Sequence, residues 1–206
     1  MSGFWRIYRR WMRDRRRSTV VWTLGLVLII VATAAFYPSL SDSTGESLDG
    51  SSGAMSSLLG LSPGIDPSTP LGFLWIGLYA NIVPWMLMAL GIALGTAAIA
   101  GDEDTGTLEY MLARPITRTA IAWSRLAAVL TVLFVVSILS ALSLIVSIPL
   151  FDLGNAVTTT APDGSTSTAA GATAGDVLAG TFAAVAVAVG LSGVACLIGG
   201  ITGRKN

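Results

Sequence analysis

The chain reads as an all-α polytopic membrane bundle, and three observations say so. Hydrophobic residues make up 53% of its 206 residues and charged residues only 12%, against about 25% charged in a water-soluble domain. The apolar residues gather into four runs, 19–37, 71–100, 120–151 and 177–202, and a bilayer crossing needs roughly 20 such residues. The charged residues gather between the runs, with every base on one side of the membrane. The expectation is one transmembrane domain over residues 1–206 with four spans.

Residues 4–12 form the first element. At about 100° per residue, Phe4, Trp5, Ile7, Tyr8, Trp11 and Met12 fall on one helical arc, and Arg6, Arg9, Arg10 and Arg13 fall on the other. That pattern predicts an N-terminal interfacial helix, with its rings among the headgroups and its arginines toward anionic lipid. The run 19–37 is expected to be retained as a helix. The segment before it is too long for a leader, and no small-x-small cleavage site follows Tyr37-Pro38.

The second run carries Asn81 and Pro84, then Gly91 and Gly95. A proline removes a backbone hydrogen bond and kinks a helix, and two small residues four apart let another helix approach closely. The Ala/Gly-rich stretch 183–203 in the fourth run predicts the same close packing. The connections 41–57 and 157–175 consist mostly of Ser, Thr, Gly and Ala, too little apolar area to order a chain. One helical turn is expected around Met55, Leu58, Leu59 and Leu61, and neither connection is assigned any chemistry.

Net charge is zero, but its distribution is informative. Seven arginines lie between Arg6 and Arg17, Arg114, Arg118 and Arg125 lie in or beside the connection 101–118, and Arg204 and Lys205 lie at the end. The other two connections hold acids such as Asp42, Glu46, Asp49, Asp66 and Asp163 and no base. By the positive-inside rule both termini and the 101–118 hairpin are cytoplasmic, in a multi-pass protein of the cell (plasma) membrane. Arg125, inside an apolar run but within two turns of its end, is expected to lift its guanidinium to the interface.

Several chemistries are excluded. A P-loop ATPase needs a lysine on phosphate, and the one lysine is Lys205 in the tail, so any ATP hydrolysis belongs to a partner. Gly190-Leu191-Ser192-Gly193 superficially matches an intramembrane serine protease, whose nucleophile needs a base; the chain has no histidine. Its one cysteine, Cys196, allows no internal disulfide. No Asp, Glu or His lies within a span, which disfavours ion-gradient coupling. No cofactor or metal is expected.

The hairpin 101–118 holds four acids, a helical turn and two arginines, more than a connection needs. Asp104 or Thr105 can cap a short helix in which Leu108, Met111 and Leu112 share a face, Pro115 ends it, and Thr117 caps the third span. Glu103, Gly106-Thr107-Leu108-Glu109 and Arg114-Pro115-Ile116-Thr117-Arg118 resemble the corresponding segment of type-2 ABC transporter permeases, at the same place between the second and third spans. The match is about eighteen residues long.

That resemblance implies the membrane subunit of an ABC exporter. It implies that residues 103–112 form a coupling helix docking on a separate ATP-binding subunit, with Glu103, Gly106, Thr107, Leu108, Glu109, Met111, Leu112, Arg114 and Arg118 at the contact. It further implies a second permease copy or a homologous permease completing the path. The family typically has six spans. The four found here correspond either to a truncated or split version, whose reading frame continues past Asn206, or to a divergent relative. The rival is a non-transport polytopic membrane protein, an assembly or immunity factor on the same scaffold. A span lining of Ala, Leu, Val and Gly suits a lipid, a hydrophobic drug or a peptide equally.

The orientation is testable directly. In a Cys196→Ala background, cysteines at Ser51 and Thr166 should react with an impermeant thiol reagent in intact cells, and one at Thr107 should not. Labelling at Thr107 from outside overturns the orientation.

Overall fold

The computed structural model describes residues 2–43, 69–104, 118–160 and 166–202. Helix α1 covers Ser2–Ser43, α2 Pro70–Leu74, a π-helical segment Trp75–Ile82, α3 Val83–Asp104, α4 Arg118–Leu150 and α5 Ala174–Thr202, with short strands β1 (Val157–Thr160) and β2 (Thr166–Ala169) between α4 and α5. Among the described residues, four helical stretches are long and apolar enough to cross a membrane, Phe4–Pro38, Pro70–Ala98, Thr119–Leu150 and Ala174–Gly199. The all-α polytopic architecture is therefore as expected. The chain divides into two compact units, one of Met1–Leu24, Pro84–Ile138 and Ala183–Asn206, the other of Gly25–Val83 and Leu139–Phe182.

In the first unit the N-terminal segment differs from expectation. Residues 4–12 are helical but not a separate element, because α1 runs unbroken for 42 residues, about twice what a crossing needs. Its apolar arc is also not wholly given over to lipid. Ile7 and Trp11 are buried, the Tyr8 hydroxyl donates to Thr131 Oγ1 of α4 at 3.1 Å, and the Arg15 guanidinium lies 5.4 Å from the centroid of the Trp11 ring. Packing on protein covers part of that arc, while Trp5 stays 52% exposed.

The rest of this unit is built on close helix contact. On α3, Leu87, Leu90, Leu94 and Ala98 are buried, and Gly91 and Gly95 lie on the same face. A Cβ on Gly91 would come within 2.8 Å of the Ala188 carbonyl oxygen of α5, and one on Gly95 within 2.5 Å of that of Ser192. The missing side chains let the two backbones touch, which dispersion alone then stabilises in a solvent as apolar as leucine. On α4 the buried positions Ile121, Ser124, Arg125, Ala128, Val129, Val132, Leu133, Val136 and Ser137 recur every three or four residues, one continuous helical face.

The second unit begins on α1 with Leu26, Ile30, Ala34 and Tyr37, all buried, the Tyr37 ring 5.4 Å from that of Phe73. Thr69 caps α2, its hydroxyl accepting from Gly72 N–H at 3.1 Å, and Pro70 occupies the first turn, where its missing N–H is harmless. The kink expected at Pro84 appears as a π segment instead. In a regular α-helix the proline ring would clash with the carbonyl four residues back. Here the Val83 N–H reaches the Leu78 carbonyl, five back, and Asn81 Nδ2 donates to the Ile76 carbonyl at 3.2 Å. Tyr79 in this segment joins α5, donating to the Val177 carbonyl at 3.0 Å with Thr181 Oγ1 also at 3.0 Å. Its ring covers Gly180, where a Cβ would come within 2.8 Å of it.

The connection after α4 is more ordered than its composition suggested. Asp152 takes φ 54°, and the next N–H, of Leu153, bonds back to the Ile148 carbonyl at 3.0 Å, a left-handed helix stop. Val157 then pairs antiparallel with Ala169 and Thr160 with Thr166, while Ala172 N–H bonds to the Leu153 carbonyl at 2.9 Å. Backbone pairing of β-branched threonines supplies the order that apolar burial does not. Helix α5 starts earlier than expected because Thr173 and Asp176 cap it reciprocally, the hydroxyl to carboxylate contact being 2.6 Å. The helical turn expected at 55–61 lies outside the described residues.

Glycine positions separate packing from propensity. Gly91→Ala and Gly95→Ala should each cost about 1–3 kcal/mol by overpacking and lower the melting midpoint in detergent by several degrees. Gly190→Ala and Gly193→Ala, whose Cβ would meet nothing within 4 Å, should leave it unchanged or raise it. Equal effects at all four sites would remove the close-contact account.

Tyr79→Phe keeps the ring over Gly180 and removes only the hydroxyl. A loss of about 1 kcal/mol is expected, read as a small fall in midpoint. A neutral outcome would mean that the ring alone joins the π segment to α5.

Candidate functional site

The residues singled out between the second and third spans fall at the edge of what the structure describes. Gly106, Thr107, Leu108, Glu109, Met111, Leu112 and Arg114 lie outside the described residues, as do Thr105 and Thr117, the expected caps. Glu103 is helical, within α3, and Arg118 is helical, within α4. Asp104, the other candidate cap, is itself helical in α3, so the second span's helix runs on past Ala100 into the acids. Both flanks belong to the first unit, which also holds the two ends of the chain.

Asp176 lies in the first turn of α5, where its negative charge complements the helix dipole.

Arg125 corrects the expectation of a side chain lifted to the interface. It is 5% exposed, on the buried arc of α4 with Ser124 and Ala128, inside the first unit. Its spacing from Ile121, Ala128 and Val132 was the available signal, since those positions face the core. Hydroxyls on buried faces bond to their own helix: Ser124 to the Ile121 carbonyl at 2.8 Å, Ser137 to Leu133 at 2.7 Å and Ser147 to Ser143 at 2.8 Å. Such serines are satisfied and carry no nucleophile, and Ser192 likewise donates to the Val189 carbonyl at 2.9 Å.

In the second unit, Leu71, Leu74, Trp75, Tyr79, Ala172, Asp176 and Val177 enclose a cavity of about 10 Å³, room for about one water and far below a substrate pocket of 300–1,000 Å³. Among the described residues no group of His, Cys, Asp or Glu could hold a metal ion.

Comparison with curated proteins found no match, and comparison with solved structures found none either. The family model described as ABC-2 family transporter protein matches residues 5–201, a stretch that includes all four spans and the charged connection. The chain therefore belongs to the ABC-2 family of transporter proteins, as a multi-pass permease component of an ABC transport system.

Proposed function

We propose that the chain is the permease of an ATP-driven exporter in the plasma membrane, with both termini cytoplasmic, moved by a separate ATP-binding subunit. A second copy or a homologous permease completes the path. The observation that carries this reading is the match of the ABC-2 family model over residues 5–201, which takes in the charged stretch between the second and third spans.

The coupling segment is assigned as Glu103, Gly106, Thr107, Leu108, Glu109, Met111, Leu112, Arg114 and Arg118. Leu108, Met111 and Leu112 supply an apolar centre and the charged residues a polar rim, the make-up of a protein interface. Closure of the ATP-binding subunits pushes on this segment. The push passes into α3 and α4, which run unbroken over 22 and 33 residues. Gly91 and Gly95 tie α3 to α5, and Tyr8 ties α1 to α4, so the displacement is shared across the first unit rather than lost in one helix.

Leu108→Asp and Leu112→Asp should weaken binding of the ATP-binding subunit by about 2 kcal/mol or more, the scale of a lost hot spot, without lowering membrane insertion. Glu109→Lys should leave ATP hydrolysis unstimulated by substrate. The measurement is co-purification of each variant with the ATP-binding subunit, normalised to its membrane level. Normal co-purification of both Asp variants would sink the coupling assignment. A fall in membrane level with binding intact would place those leucines in lipid.

A further inference from the structure

Helix α1 carries a second surface, separate in sequence from the proposed coupling segment. At about 100° per residue, six of the seven arginines from Arg6 to Arg17 fall within roughly 120° of arc, opposite buried Ile7 and Trp11. Only Arg15 turns away, toward the Trp11 ring. Arg9, Arg13, Arg16 and Arg17 are all exposed. The same arc continues along the helix into Val20, Val21 and Leu24, which are 47%, 68% and 63% exposed. An apolar stripe and a cationic stripe thus lie end to end on one face, one helical turn apart. Because Tyr8 and Trp11 hold the opposite face against protein, the arginine-bearing face of the helix is turned outward.

We propose that this face is a binding site for anionic phospholipid. An acyl chain lies along Val20, Val21 and Leu24, and the phosphate group meets Arg13, Arg16 and Arg17, whose positive charges attract phosphate oxygens. Arg9 and Arg10 lie one to two turns further out and add attraction at longer range. A second copy of the chain is a poor occupant, since an arginine stripe meeting its own image would repel. A zwitterionic lipid offers the same chain and phosphate but no net charge, so the site discriminates by headgroup charge.

The test uses the purified full chain in detergent, titrated with phosphatidylglycerol or phosphatidylcholine, with bound lipid counted by native mass spectrometry. The wild type should take up phosphatidylglycerol in preference, less so as ionic strength rises. Replacing Arg13, Arg16 and Arg17 together by Gln should raise the half-saturating phosphatidylglycerol concentration by on the order of a hundredfold at low salt, with phosphatidylcholine binding unchanged. The corresponding Lys variant should bind close to wild type, which guards against misfolding as the cause, and the four arginines left in both variants retain the topological signal. Three results would each overturn the proposal: equal uptake of the two lipids by the wild type, undiminished phosphatidylglycerol binding by the Gln variant, or a loss in that variant that Lys does not restore. If the Gln variant keeps its lipid and loses the ATP-binding subunit instead, the stripe belongs to the protein partner.

Discussion

Everything in this fold depends on the demand that polar groups in hydrocarbon be satisfied by the protein itself. The spans are therefore helices, and their hydroxyls bond back to their own carbonyls, as Thr23 does to Thr19 at 2.8 Å and Ser137 to Leu133 at 2.7 Å. The outer surface follows from the same setting. Phe134, Ile138, Val146 and Phe182 are exposed, as a hydrocarbon solvent permits, while the buried faces mix leucines such as Leu87, Leu90 and Leu133 with small residues such as Ser124, Ser137 and Ala188 that let backbones approach.

Where a helix cannot be regular, the defect is resolved locally. Pro84 follows a π segment whose loosened carbonyls find Asn81 and the Val83 N–H. The same segment presents Tyr79 to the α5 backbone at Val177. A position that costs one backbone bond thus coincides with a side-chain bond between helices. Outside the spans, where threonines can pair through their backbones, order comes from strand hydrogen bonds at Val157–Thr160 and Thr166–Ala169.

Charge is organised by the same constraint and kept out of the apolar stretches: the arginines of α1 sit in a stripe aligned with its exposed apolar face. Arg125 is the exception, a buried cation on α4 in the unit from which the charged connection emerges.

Four spans, their approximate limits and the family resemblance were legible in the residues, because apolar run length, one-sided arginines and a charged motif are properties of composition and order. Gly91 and Gly95 as a close-contact face were also legible, since only small residues permit it. The tertiary structure decided which surface each helical face meets. It gave the arc of Ile7 and Trp11 to protein rather than lipid, and it turned Arg125 inward rather than to the interface. It also converted the kink at Pro84 into a π segment and joined the threonine-rich connection into a hairpin. Periodicity states that a helix has two unlike sides but not what lies against them, because the neighbour is set by the packing of residues more than a hundred positions away, as with Tyr8 and Thr131.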